Sequence, residues 1–381
     1  MANEIAAILP TILNATTLVA REAVGILPTV TLNADATRCA VGTTITSHVA
    51  PARPARDITP ATDRPATTTA AYGTRQFTIT KSRAVDVTWS GREQIRLDSA
   101  GRPFDAILRD DFAQAFRTIT NEVENDLALT AYLNASRAVG TSGTLPYNSD
   151  LEIASLAEQV LNDNGAPRQR YMAINSNVVV KLRNRVTLND PSAAVQEFIQ
   201  QGTLITLAGL QHKYTNGVQT HTKGAGASYL TDLPETLAVG AVTIHLDTGT
   251  GAVLAGDVIT FAGDPNQYVV KTGATGDGDK DIEIQAPGLR QTLADGVAMT
   301  ITNSYLANLA YSAGAIELGT RAPEAPTKGD KATDAMMVKD PHSGLIFEVR
   351  YYPGYRSGSY EVGLNWGIFC PMPEWICAVK G

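Results

Sequence analysis

The most sustained alternation of hydrophobic and polar positions in the chain runs from Phe104 to Ala135. Phe104, Leu108, Phe112, Phe116, Ile119, Val123 and Leu127 recur every three or four residues, one stripe at helical period. Asp105 and the Asp110-Asp111 pair sit toward the N-terminal end, where the helix dipole favours carboxylates. Pro103 is placed as the first helical residue and Gly140 just past the end. Unbroken, such a helix is about 50 Å long at 1.5 Å per residue, about three times the mean length in globular proteins. Its polar back is acidic, with Asp110, Glu122 and Glu124 as its expected outward face. A helix of this kind is a coiled-coil arm or the beam of an elongated domain. No heptad continues on either side, which favours the beam.

Before the helix, Ile5, Ile8, Leu9, Ile12, Leu13 and Val19 predict an amphipathic arm, interrupted by Pro10. Thr43–Thr46 with His48-Val49 read as a strand. The Pro-, Ala-, Thr- and Arg-rich stretch that follows, to Gly73, has too few large apolar groups for a core of its own and predicts an extended surface loop. Arg53, Arg56, Arg64 and Arg75 stand there against Asp57 and Asp63, a mixed charge suited to docking on an acidic neighbour. Phe77–Thr80 and Val85–Trp89 alternate at period two and predict strands.

After the helix, Leu151, Ile153, Leu156, Val160 and Leu161 predict a second amphipathic helix ending at Asn164-Gly165. Arg170–Asn175 reads as a strand leading to a helix capped by Asn175 or Ser176. A short helix is expected over Ser192–Gln201, and Gly202–Leu210 is apolar and β-prone. From about Thr215 the texture shifts to short strands between Gly and Asp turns: Val242–Leu246, Val258–Phe261, Gln267–Val270, Ile282–Ile284 and Ala298–Ile301. Their close, regular spacing predicts a small barrel or sandwich inserted in the α/β part. A helical or turn segment at Leu306–Ala315 and a strand at Ala315–Leu318 follow. Next come a polar loop over Arg321–Asp334 and a long aromatic hairpin, Leu345–Tyr351 and Tyr360–Phe369, turning at Pro353-Gly354.

The chain of 381 residues has room for one large or two to three smaller cores. Charged residues make up 18%, fewer than the usual quarter, a composition suited to a subunit that hides surface in contacts. A net charge of −7 argues against a dedicated nucleic-acid binder, though not against a protein that encloses nucleic acid. Cys39, Cys370 and Cys377 are badly spaced for a disulfide framework or a zinc site, and a reducing compartment is expected. No stretch of eighteen or more apolar residues predicts a membrane span. The N-terminus lacks a basic lead and carries Glu4, so no signal peptide is expected.

Candidate chemistry is sparse. His48, His212, His221, His245 and His342 are scattered, without a His-x-x-x-His pair, and His212 and His221 are expected on surface loops. No nucleophile-elbow, phosphate-loop or dinucleotide-binding motif is present. Gly276–Glu283 alternates Asp like a calcium loop. Ile282 replaces the turn glycine and no closing glutamate follows, so a hairpin turn is expected. No catalytic residue, cofactor or metal ligand is assigned.

The layout of arm, extended loop between strands, long helix, α/β module and closing hairpin resembles the major capsid proteins of tailed bacteriophages, the Hong Kong 97-type fold. The ending, a long strand followed by Pro373-Glu374 and the tail Trp375–Val379, is similar to the terminal step of that class. The β-rich insertion is similar to that of the P-twenty-two type coat proteins. Gly202–Leu204 through Ala208–Leu210 resembles the segment entering it, Val242–Leu246 with Gly256–Gly263 a strand pair inside it, and Asn308–Pro323 the segment leaving it. The insertion is shorter here, so no contact of the family's insertion is carried over.

The resemblance implies an α+β chain divided into an N-terminal arm (1–35), an extended loop with flanking strands (36–98) and a spine helix of the peripheral domain (99–140). The rest would be an axial domain in two parts (141–215 and 304–344), an inserted β-barrel (216–303) and closing strands of the peripheral domain (345–381). It implies a non-enzymatic subunit that self-assembles as pentamers and hexamers into an icosahedral virion shell in a bacterial cytoplasm. Scaffolding and portal proteins would be its partners, and double-stranded DNA would be enclosed without sequence-specific binding or membrane. Phe104, Leu108, Phe112, Phe116, Ile119, Val123 and Leu127 would pack the spine, and Arg53, Arg56, Asp57 and Arg64 would touch the neighbouring subunit. The alternative is a tail, decoration, receptor- or carbohydrate-binding module, whose insertion offers only Tyr229, Phe261 and Tyr268 as aromatic contacts.

Overall fold

In the computed structural model the apolar stripe lies on one helix of 30 residues, Phe104–Leu133, about 45 Å long at 1.5 Å per residue. The structure describes residues 4–19, 25–49, 73–99, 104–189, 206–326, 329, 331–340 and 343–381. Helix α1 (Glu4–Val19) and strands β1 (Thr31–Cys39), β2 (Thr44–Val49), β3 (Gly73–Thr78) and β4 (Lys81–Ser90) come first. Helices α2 (Gly91–Ser99) and α3 (Phe104–Leu133), strand β5 (Arg137–Val139), helix α4 (Glu152–Asp163), strand β6 (Arg170–Ile174) and helix α5 (Ser176–Asn189) follow. Short strands occupy the next third: β7 (Thr206–Leu207), β8 (Leu210–Tyr214), β9 (Thr220–His221), β10 (Tyr229–Thr231), β11 (Thr243–Asp247), β12 (Val258–Phe261), β13 (Gln267–Thr272), β14 (Lys280–Ile284) and β15 (Ala298–Ile301). Longer ones close the chain: β16 (Tyr305–Ser312), β17 (Glu317–Pro323), β18 (Asp334–Lys339), β19 (Ile346–Gly354), β20 (Ser357–Phe369) and β21 (Ile376–Lys380). The chain is mixed α+β, with few helices and many strands.

Helix α3 is held between two sheets. The first has the order β1-β17-β20-β19-β18, with β4 also paired to β20. Alternation sends Phe347 and Val349 of β19, and Tyr360, Val362, Leu364 and Trp366 of β20, to the helix side. Phe112 meets Tyr360 edge-on at 5.5 Å between ring centroids, and Phe116 meets Phe347 at 5.0 Å, both favourable aromatic geometries. Ile12 and Ala15 of α1 are buried in the same core. In the second sheet β16 lies between β21 and β6, with β8 parallel to β6. Leu309 and Tyr311 join the α3 core, whereas Ala310, with Met172 and Val379, joins the core under α4 and α5.

Six strands form a closed cycle of antiparallel pairs, β12–β15–β10–β11–β14–β13 and back to β12. Closure removes the free edges that short strands would otherwise expose. Its interior is a separate apolar cluster that includes Tyr229, Leu246, Phe261, Tyr268 and Ile284. The ring joins the second sheet where β13 pairs β5, Gln267 opposite Ala138 and Tyr268 opposite Arg137.

Several sequence expectations need correction. Helix α1 runs through Pro10 rather than stopping there; proline removes one donor, and packing against α3 holds the flanking turns. Leu306–Ala315 is mainly the strand β16, because its small and apolar residues are buried on both faces of a sheet. The β19–β20 hairpin turns at Tyr355-Arg356, two residues beyond Pro353-Gly354, with Arg356 at φ 52°. Strands β1, β5, β9, β10 and β18 and helix α2 were not expected. The helix expected over Ser192–Gln201 lies outside the described residues.

Because Phe112 sits fully buried where α3 crosses β20, Phe112→Ala should cost about 3–5 kcal/mol of stability. Urea unfolding would show it as a lower midpoint at unchanged slope. A midpoint equal to wild type would contradict this packing.

Candidate functional site

The stripe residues are placed as a packing surface. Leu108, Phe112, Phe116, Ile119, Val123 and Leu127 are all buried. Phe104 opens the helix, but its side chain lies outside the described residues. Arg53, Arg56, Asp57 and Arg64 also lie outside the described residues.

The acidic face expected from Asp110, Glu122 and Glu124 is not one face. Asp110 is outward, with 63% of its side chain exposed and Arg109 as partner at 2.8 Å. Glu122 is taken up within the chain: Arg83 Nε donates to it at 3.0 Å, and Lys81 Nζ lies 3.4 Å away. Lys81 reaches Asp126 at 2.8 Å, and the indole Nε1 of Trp366 donates to Asp126 at 2.9 Å. These contacts tie β4 and β20 to the middle of α3. Asp126 was missed in the sequence, although Lys81 and Arg83 share strand parity with Val85 and Val87 and so point to the helix side.

Glu124 turns inward, which corrects its assignment to the outer face. It is 2% exposed. Its carboxylate accepts hydrogen bonds from the backbone N–H groups of Gly25, Ile26 and Leu27 at 2.8, 2.7 and 2.9 Å. It also accepts one from the Thr215 hydroxyl at 2.6 Å. A buried carboxylate is tolerable only when its oxygens are met by donors, and charge-assisted bonds of this length are the strong ones. One side chain thus gathers the segment after α1, the middle of α3 and the approach to β9.

The histidines also depart from expectation. His212 is buried, with Tyr147 Oη 2.7 Å from its Nε2. His221 is buried too, its Nε2 2.9 Å from Asp257 Oδ1 and its ring near those of Tyr132 and Tyr305. Asp257 accepts from the N–H groups of Gly224 and Leu254. With Gln285 Nε2 donating to the carbonyl of Leu133 at 3.0 Å, this cluster locks the ring to the C-terminal end of α3. Both members of the His221–Asp257 pair are buried, and their contacts tie β9 to the ring. His245 is partly exposed: Asp281 lies 2.7 Å from Nδ1 and Asp279 2.7 Å from Nε2, with Asp232 at 3.8 Å. The hydrogen bond to Asp281, and then the charges of Asp279, Asp281 and Asp232, raise its pKa. Burial pushes the Cys370 and Cys377 thiols up to about 12, leaving them unreactive. Among the described residues no group of three or more His, Cys, Asp or Glu could hold a metal ion.

Two outcomes test these contacts. Glu124→Gln puts an amide N–H against backbone donors and should cost about 3 kcal/mol, with faster amide exchange at residues 25–27; unchanged exchange there would contradict the anchoring role. A raised histidine pKa stabilises the fold fully below the unfolded value of 6.5 and loses that contribution as pH rises through the folded value. The melting temperature should therefore fall as pH rises from about 6 through the raised folded value, and His245→Asn should flatten that part of the profile.

No family model matches the chain, and no curated protein matches it. Solved structures do. A capsid structure of the cyanophage P-SCSP1u aligns over 94% of this chain and 88% of its own, at 11% identity and TM-score 0.44. The capsid of Myoviridae phage XM1 aligns over 94% and 92%, at 8% identity and TM-score 0.43. A virus-like particle from Pyrococcus furiosus aligns over 97% and 98%, at 9% identity and TM-score 0.42. Likeness this distant leaves function to be argued from the chain's own geometry.

Proposed function

We propose that this chain is the shell-forming subunit of a Hong Kong 97-type capsid, a non-enzymatic protein that self-associates as pentamers and hexamers. The observation that carries the reading is the β2–β3 ribbon. Its six residue pairs, Thr44 with Thr78 through Val49 with Gly73, join two strands that pair with no other strand among the described residues. Its base is fixed: Phe77 stacks on Phe369 at 6.0 Å, and Ile79 is buried. A lone two-stranded ribbon is marginal in water, so one built into a stable body calls for another surface to lie on. In this reading the surface belongs to a neighbouring subunit, and Arg53, Arg56, Asp57 and Arg64 make the contact. With Glu122 and Glu124 engaged in their own chain, Asp110 and Asp111 are the exposed acids among the described side chains of α3.

The remaining parts divide along the two sheets and the ring, with bounds that differ from those the resemblance implies. Helix α3 and the first sheet form the peripheral domain, whose closing strands β19 and β20 come from residues 346–369. Strands β17 and β18 (317–339) join it rather than the axial part, while β21 leaves it for the second sheet. The second sheet with α4 and α5 forms the axial domain, drawn from residues 141–215 and 305–312 with β5 and the final strand β21, and the strand ring is the inserted barrel of 216–303. The rival binding-module reading loses its footing, because Tyr229, Phe261 and Tyr268 are buried inside the ring and offer no stacking platform. The enclosed cargo is double-stranded DNA, held without sequence-specific contacts by a subunit of net charge −7. Scaffolding and portal proteins complete the assembly, and the virion is its place.

Deleting residues 51–70 tests the reading. The variant should fold with a near wild-type melting temperature yet stay as small species in sedimentation velocity, while the intact chain forms fast-sedimenting shells. Normal shells from the deletion variant would overturn the ribbon's role.

A further inference from the structure

The tip of the β19–β20 hairpin, the end of β4 and the start of α2 border a groove of about 1,000 Å³. Its floor is continuous with the core. Trp89 and Tyr351 lie against the Tyr360 ring at 5.3 and 4.8 Å between centroids, and Tyr360 in turn meets Phe112. The Gly91 N–H donates to the Arg356 carbonyl at 3.1 Å and so ties α2 to the hairpin tip. Tyr355 is 90% exposed and Ile95 68% exposed, and the Arg356 guanidinium lies over the Tyr355 ring at 5.6 Å. Arg92 also lines the groove, and both arginines are exposed. Among the described residues no carboxylate pairs with either guanidinium. Tyrosine, tryptophan and arginine are the side chains that protein interfaces favour, and their hot spots draw on the same three.

The same chain carries a charge that fits. On α3, Asp110 is held by Arg109, whereas Asp111 is exposed and no cation among the described residues pairs with it. Partial desolvation at the helix surface, and then the Asp110 charge, raise its pKa, so this carboxylate stands uncompensated within one copy. Resting on the shell reading, we propose that the groove receives the outward face of α3 from a second copy, with Asp111 set between Arg92 and Arg356. The contact is head-to-tail, groove of one copy to helix of the next, the type that repeats around a ring. An exposed ion pair alone contributes little. Here the contact also covers Tyr355 and Ile95, which adds apolar burial and removes water from around the charges. A nucleic-acid backbone would meet the arginines but gain nothing from Ile95, whereas a helix face covers both. The volume stands at the upper end of pockets for free small molecules and suits a protein segment.

Arg356→Glu and Asp111→Arg both fall at exposed positions, so melting temperatures should stay near wild type. Each should raise the protein concentration needed for shells about tenfold, a 1.4 kcal/mol loss per contact. The two variants move the net charge in opposite directions, so a shared loss is not an effect of overall charge. The double variant restores an opposite pair and should recover most of that loss. In wild-type shells, amide exchange at residues 89–95 and 351–358 should be slower than in unassembled subunits. Single variants that assemble at the wild-type concentration, or unchanged exchange on assembly, would overturn this inference and leave the shell reading intact. So would a double variant that assembles no better than the single ones, because the groove and Asp111 would then face different partners, nucleic acid included. Wild-type protein that forms no shells would overturn both.

Discussion

The carboxylate of Glu124 is the interaction on which the arrangement depends. It stands two-thirds of the way along a helix of 30 residues, and its four donors come from segments 91 to 99 residues away in sequence. Remove it, and the N–H groups of Gly25, Ile26 and Leu27 are left buried without an acceptor, a cost that packing alone does not offset. The return of the chain after α1 and its departure toward the ring are thus fixed to the same turn of α3. From there the helix works as a beam. Phe112 and Phe116 hold the first sheet, Lys81, Asp126 and Trp366 fix its angle, and Gln285 with the His221–Asp257 pair fastens the ring to the far end.

A beam gripped along its length transmits force between the parts attached to it. The ring, the α4–α5 layer and the base of the β2–β3 ribbon therefore sit at set positions relative to one another, which a subunit needs if identical copies are to meet at repeatable angles. The ribbon is the exception in this frame. Its base is anchored at Phe77 and Ile79, yet its strands find no third partner among the described residues. A rigid body carrying a ribbon without a third strand among the described residues is what the proposed association with copies of the same chain would use.

Much of this was legible in the sequence where periodicity is strong. The α3 stripe could be read because its apolar residues follow a 3.6 period over about seven turns, and five of the six ring strands because Gly and Asp punctuate short alternating runs; β10, three residues long, is too short to show a period. Strand β16 could not, since Tyr305–Ser312 is buried on both faces and its Ala-rich pattern fits a helix equally well. Strand β1, Thr31–Cys39, is polar and is held by parallel pairing to β17, a partner nearly the whole chain away. Helix α2 carried a usable signal: Ser90 and Glu93 form a capping box, with the Ser90 N–H donating to Glu93 at 2.7 Å. At the site, Lys81 and Arg83 announced their direction by strand parity. Glu124 did not, because three of its partners are backbone N–H groups, which side-chain patterns do not record.

The most direct test is cryo-electron microscopy of the purified wild-type protein under assembly conditions. The account predicts closed icosahedral shells in which each β2–β3 ribbon lies across an adjacent subunit. A uniform small oligomer with the ribbon folded back on its own body would contradict it.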